Sequence, residues 1–533
     1  KERNIALDPR KSLLIQAPAG SGKTELLIQR YLRLLSGVEH PDQIISMTFT
    51  RKAAEEMKRR ILEALKRGLN QTSPESPHQQ QTWELAKLAL KNDSKNNWRI
   101  LDNPNQLKVL TIDSFCASLV KQMPILSLMG GPLDIIENAS DLYKEASKRI
   151  LSKVESKCEV GKRVRIILNH LDNSKASFLD RINQLFQKRD QWMIPFFDDF
   201  DINDDKRNYF ENIFSKLIES TLIDLHSETP NDLHTIIPIA SFAGNNCLSD
   251  NIHTPISSLD NLTNLPSHQI SDLNLWKGIA ELILTKNGDV RKTVNKSIGF
   301  PADQKKIKLN FSELLETLSA HRIFLQKLHE VRDLPDPLFS DNEWKVLRAT
   351  LLLLPNMADT LRNIFSEQGK TDFTEISLAA REALGTEDDP TDLLLYLDHK
   401  IQHILVDEYQ DISYKQYDLL IRLTAGWTPG DGRTMFIVGD PMQSIYRFRD
   451  AEVGLFLKTK NEGLGNIDLK FLTLQTNFRS KKPIVDWINE CFRSIFPKTN
   501  NQDLGAITYS PSRAEQTETN ESDVFFHATH ESF

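Results

Sequence analysis

Eight consecutive residues, Ala17-Pro18-Ala19-Gly20-Ser21-Gly22-Lys23-Thr24, combine two glycines, a lysine and a hydroxyl in the order that suits phosphate. Gly20 and Gly22 let the backbone curl so that successive N–H groups face one concavity. Lys23 would reach the terminal phosphates, and the Thr24 hydroxyl would hold a magnesium ion bridging them. Ala17 stands where the strict pattern has glycine, and a plain strand-to-helix turn is the bland reading of the same residues. A second group answers the first: the run His403-Ile404-Leu405-Val406 ends in Asp407 and Glu408. One carboxylate, Asp407, suits the metal, and its neighbour Glu408 suits the base that orients and deprotonates an attacking water. A third, Tyr446-Arg447-Phe448-Arg449, interleaves aromatic rings with cations and could stack and neutralise a single nucleic-acid strand, or be a half-buried element end.

These residues need a scaffold, and the runs around them describe one. Leu13-Leu14-Ile15 feeds the glycine loop, and a helical pattern over 25–35 leaves it, adding its positive end to the phosphate site. Buried strands are expected at 44–49, 107–112, 403–406 and 434–440, with helices over 52–67, after Asp113 and through Leu423. Residues 472–480 read as one further strand, which delivers Arg479. Strand and helix alternating in this way predict a parallel α/β sheet. The 52–67 helix is rich in Arg and Lys, which by itself describes a solvated face. From 126 to 395 the alternation gives way to long helical stretches, among them 139–154, 177–192, 311–331 and 343–367, with 227–272 expected as a long irregular loop.

Composition sets the limits. The chain has 533 residues, enough for two to four domains, and a net charge of −7, so any nucleic-acid contact must come from local patches. Cys116, Cys158, Cys247 and Cys491 are scattered without metal-ligand spacing, which predicts a reducing, cytoplasmic setting. No apolar run reaches membrane-spanning length, so no membrane partner is expected. The first residue is Lys1 and 524–533 reads as the middle of a strand, as expected of part of a longer protein.

Six blocks, in order, carry a resemblance. Ala-Pro-Ala-Gly-Ser-Gly-Lys-Thr at 17, Thr-Phe-Thr-Arg-Lys-Ala-Ala-Glu-Glu-Met at 48 and Thr-Ile-Asp-Ser-Phe at 111 come first. Val-Asp-Glu-Tyr-Gln-Asp at 406, Val-Gly-Asp-Pro-Met-Gln-Ser-Ile-Tyr-Arg-Phe-Arg at 438 and Asn-Phe-Arg-Ser at 477 follow. Together they resemble the superfamily 1 helicases of the UvrD type, and within them the RecB-like or AddA-like proteins. The resemblance implies a P-loop, RecA-like core in two parts, 1–125 and 396–480, split by a helical insertion at 126–395, with the start of a second RecA-like domain at 481–533. It implies ATP and Mg2+ as cofactors, with 17–24 and Phe478 around the nucleotide and Thr24 and Asp407 on the metal. Gln443 would sense the terminal phosphate, and Arg479 would stabilise charge on the transferring phosphoryl group. Thr48, Phe49, Arg51, Ser114, Phe115, Tyr446 and Phe448 would line the track of a single DNA strand. The implied activity is ATP-driven translocation, 3′ to 5′, and separation of duplex DNA, with a nuclease subunit or domain as partner. Departures are the missing N-terminal glutamine for adenine, Asp113 in place of histidine, and missing Gly-Leu-Glu and Thr-Arg-Ala blocks. They predict poor hydrolysis by these residues alone. An ATP-gated DNA-binding protein and a P-loop ATPase acting on protein are the alternatives.

Overall fold

A computed structural model describes residues 2–70, 72, 74–122, 133–197, 204–386, 388–446, 451–502 and 505–515. Its strands are β1 (Leu13–Gln16), β2 (Ile44–Thr48), β3 (Lys108–Thr111), β4 (Asp134–Ile136), β5 (Lys370–Asp372), β6 (His403–Val406), β7 (Thr434–Gly439), β8 (Lys470–Thr473), β9 (Thr476–Asn477) and β10 (Arg513–Ala514). Six of them form one sheet in the order β3-β2-β6-β7-β1-β8, every neighbouring pair parallel. The apolar runs become the central strands because β1, β2 and β7 are buried along their whole length, as a sheet covered on both faces requires. Within β1 the sides alternate. Leu13 and Ile15 join the core that includes Leu26, Leu27, Met57 and Ile61, and Leu14 joins the one that includes Leu119, Ala380 and Leu420. In-register pairing, Gln16 with Gly439 and Met47 with Val406, brings the carboxyl ends of the strands level, so the residues that follow them share one edge.

The chain divides into two compact units. One comprises 1–143, 188–191 and 361–533, and the other 144–187 and 192–360. The expected insertion therefore shrinks at both ends. Residues 361–395 belong with the sheet because the helix Phe373–Leu384 packs on Ile112–Gln122 and Tyr414–Leu423 and buries Ile376, Ala379, Ala380 and Ala383 there. Residues 188–191 return to the same unit, where the buried Arg189 guanidinium pairs with Asp372 and lies 3.4 Å from Glu375. The compact unit likewise continues past 481 through the helix Lys482–Ile495 and the parallel pair β9 and β10.

The second unit is helical. Its core gathers Trp276, Phe300, Phe311, Leu314, Phe324 and Leu328, with the Phe300 and Phe311 rings stacked 5.3 Å apart. The loop expected over 227–272 is instead largely ordered, its longest element the helix Ile236–Ser249. The buried residues of that helix, Ile236, Ile239, Ala240, Ala243 and Cys247, follow one face, but Ile237, Phe242 and Leu248 lie off it and blur the stripe, and Pro238 falls in its first turn, where the missing N–H costs nothing. Two expected long helices are each two: Lys175–Gln187 with Arg189–Phe197, and Lys305–Leu318 with Arg322–Arg332. The single strand expected over 472–480 resolves into the end of β8, then β9, then a bend at Phe478. No helix among the described residues is long and apolar enough to cross a membrane. The strand expected at 524–533 lies outside the described residues.

Candidate functional site

The phosphate loop begins where β1 stops: the Ala17 N–H donates to Gly439 O at 3.0 Å, holding the loop against β7. Gly20 and Gly22 have φ of +78° and +75°, the left-handed region, and the helix Lys23–Leu35 starts at once. A Cβ on Gly20 would lie 2.5 Å from the Asn477 side chain, and one on Gly22 would lie 2.6 Å from Arg3 Nη2. The loop is thus clasped from two directions. On one side the Asn477 side chain donates to Ala19 O at 3.2 Å and the Phe478 N–H to Gly20 O at 2.8 Å. On the other, Arg3 donates to Ser21 O at 2.5 Å, and its guanidinium lies 5.1 Å over the Phe478 ring. The N-terminal segment, which lacks an adenine-reading glutamine, therefore supplies an arginine at this position.

The carboxylates arrive on the neighbouring strands. β6 ends at Val406, and Glu408 holds a left-handed backbone, φ +51°, which is uncommon for a residue with a side chain and turns its carboxylate toward the loop. Lys23 Nζ lies 2.8 Å from Glu408 Oε2. Asp407 donates its N–H to Met47 O and accepts the Glu408 N–H on Oδ1 at 2.9 Å. Burial, then the Glu408 charge, push the Asp407 carboxyl up to about 6, against the pull of Lys23. A buried carboxylate so destabilised, with the Thr24 hydroxyl on the first turn of the loop helix, is a donor set of hard oxygens that fits a magnesium ion. β7 ends at Gly439, and the side chain of Gln443 donates to the Asp440 carboxylate beyond it. Burial also raises the Asp440 carboxyl.

Along the same edge, the rings of Phe49 and Tyr446 pack with centroids 4.9 Å apart. Thr50 caps the basic helix Arg51–Gly68 through its hydroxyl, and Arg51, its first residue, is exposed. Ser114 is exposed at the start of the helix Ile112–Gln122, with its N–H 3.1 Å from Thr111 Oγ1. Two of the expected strand contacts face inward. Phe115 is 5 % exposed within the core, and Thr48 is buried with its hydroxyl donated to Thr50 O. Phe115 lies on the inner, apolar face of its helix. Phe478 is 43 % exposed, and Arg479 beside it is exposed as well. Phe448, with Arg447 and Arg449, lies outside the described residues. Sequence reasoning misses Arg3, Asn477 and Gln410, because each acts through a partner at least 30 residues away or through a backbone atom.

The family model described as UvrD/REP helicase N-terminal domain matches residues 1–463. An ATP-dependent helicase/nuclease subunit of Clostridioides difficile is 26% identical over 550 residues, covering 96% of this chain and 39% of its own length. Proteins of the same name from Lactobacillus acidophilus and a Thermoanaerobacter species are 24% and 27% identical, covering 96% of this chain and 41% and 40% of their own lengths. The chain spans about two fifths of the length of the curated relatives it matches.

Proposed function

The chain belongs to the UvrD/REP helicase N-terminal domain family, and from that premise we propose that it is the nucleotide-binding part of an ATP-driven motor on single-stranded DNA. The observation that carries the reading is the Lys23 to Glu408 pair, 2.8 Å apart and set against a loop whose glycines hold a left-handed backbone. Phosphate oxygens entering the loop compete for Lys23 and so release Glu408 to take a proton from water. Thr24 and Asp407 would hold a magnesium ion, which would supply charge neutralisation to the phosphates. Gln443, tied to Asp440, stands at the end of β7 where it can respond to the terminal phosphate, and Arg479 is delivered beside Phe478 to the developing charge. Phe478 offers a face to the base. Phe49 and Tyr446 offer rings, and Arg51 and Ser114 polar contacts, to a DNA strand.

Translocation from 3′ to 5′ with duplex separation, in repair or recombination, follows the resemblance carried by the six blocks. A nuclease partner, whether a domain or a separate chain, follows the helicase/nuclease in the relatives' name. A cytoplasmic setting is supported by four cysteines that are all free thiols. The test is ATP hydrolysis, with and without single-stranded DNA at fixed salt, by this chain and by the full-length protein that carries it. Stimulation by the strand supports the motor. Turnover indifferent to DNA points to an ATPase acting on protein, and nucleotide-dependent strand binding without unwinding points to a gated binder.

A further inference from the structure

Gln410 has no part in the roles above, yet it is buried and hydrogen-bonded at both ends of its amide. Its side chain is 2 % exposed. Nε2 donates to Glu408 Oε2 at 2.8 Å and lies 3.2 Å from Asp411 Oδ2, while Oε1 accepts the Asp440 N–H at 2.8 Å. The amide can face only one way, because one side offers carboxylates, which only accept, and the other a backbone N–H, which only donates. Gly439 is cut to fit it: a Cβ there would lie 2.8 Å from Gln410 Oε1 and 3.2 Å from Gln410 N. The neighbouring Asp411, also buried, accepts the Ser444 hydroxyl at 3.1 Å. Ser444 stands two residues before Tyr446, whose ring packs on Phe49.

A connected set of hydrogen bonds therefore runs from Lys23 and Glu408 through Gln410 to the Asp440 N–H, and from the Asp440 carboxylate to Gln443, with a branch through Asp411 to Ser444. We propose that Gln410 is a positioning residue that fixes the Glu408 carboxylate and, with the Asp411 to Ser444 bond, couples it to the segment carrying Gln443 and Tyr446. This rests on the reading of Glu408 as the base and Tyr446 as a strand contact. The amide joins the ends of two adjacent strands, β6 and β7, so a shift of one relative to the other reaches the carboxylate through it. Strand engagement at Tyr446 and orientation of the hydrolytic carboxylate then become one event.

Two variants of the full-length protein test this, read as ATP turnover across a titration of single-stranded DNA, with thermal unfolding alongside. Gln410→Met keeps volume without adding charge. It should leave KM for ATP within about threefold and lower strand-stimulated kcat by about 10- to 100-fold, the scale of a lost charge-assisted hydrogen bond. Ser444→Ala removes only the branch. It should keep the turnover seen without DNA and reduce the stimulation ratio by about 5-fold or more. Wild-type stimulation in both variants overturns the coupling, as does a Gln410→Met loss confined to KM and thermal stability beside an unaffected Ser444→Ala. If the parent protein itself is not stimulated by DNA, the motor reading fails and the coupling with it. A kcat loss in Gln410→Met then still reports on the positioning of Glu408.

Discussion

The sheet unit and the helical unit bury different chemistry. Among the described residues, every buried polar or charged side chain except Ser147 belongs to the sheet unit, including Gln410, Asp411 and Asp440 at the strand ends and Arg189, Asp372 and Glu375 behind them. The helical unit buries Trp276, Phe300, Phe311 and a surround of Leu and Ile. Burying polar groups costs desolvation unless each finds a partner, and the sheet unit meets that cost with a connected set of hydrogen bonds where phosphate chemistry needs fixed charges. In the helical unit the described core is given to apolar packing. The difference separates two kinds of sensitivity: one unit should lose turnover without losing its fold, and the other should lose its fold first.

The sharpest break is Glu408→Gln, which should retain nucleotide affinity while turnover falls by about 10²- to 10⁴-fold, the range of a lost general base. Equal loss of affinity would put Glu408 among the binding groups. In the helical unit, Trp276→Ala should cost about 3–5 kcal/mol of stability. The ring is fully buried, with its N–H on Ser267 O at 2.8 Å. Thermal unfolding measures that cost, and an accompanying collapse of nucleotide affinity would erase the division between the units. Lys23→Ala should weaken ATP binding by about 2–3 kcal/mol, or about 100-fold in Kd, for loss of one charge-assisted contact. Calorimetry decides, and unchanged affinity would remove Lys23 from the phosphate site.

The smallest effect concerns acid. Burial, with the Arg30 charge adding to it, lowers the His403 imidazole at the start of β6 to about 4. Its folded value lies below the unfolded one, so the unfolded chain binds the proton more readily and stability falls as pH drops from about 6.5 to about 4. The loss should be on the order of 1–3 kcal/mol, complete below that window and absent above it. His403→Gln should flatten that part of the stability curve in chemical denaturation against pH, and an unchanged slope would assign it to other groups.

What was legible in the sequence was local. The glycine loop, the Asp407-Glu408 strand end and the Gln443 turn are each written in a few consecutive residues, because an apolar run ending in glycines or carboxylates needs no distant partner to be recognised. The less legible parts depended on residues far apart. Phe115 takes its direction from the core it helps to fill, and Gln410 from an N–H on the next strand. The 236–249 helix hides its period because Ile237, Phe242 and Leu248 are apolar yet lie off its buried face, and 188–191 leaves its neighbours in sequence to place Arg189 beside Asp372. A linear pattern can mark a face, but it does not say which of two units will claim it.

The order of strands in the sheet bears on how the protein is made. β1 pairs only with β7 and β8, yet Gln16 ends β1 and Thr434 begins β7. At synthesis rates of about 5–20 residues per second, the intervening stretch of roughly 400 residues takes about 20–80 s to appear. Throughout that time Leu13, Leu14 and Ile15, all of which end fully buried, have neither neighbouring strand. The helical unit, whose main buried core lies within 218–331, can settle meanwhile. The nascent chain therefore carries a finished helical body and an unfinished sheet at once. The N-terminal strand is the segment that holdase chaperones should find longest exposed.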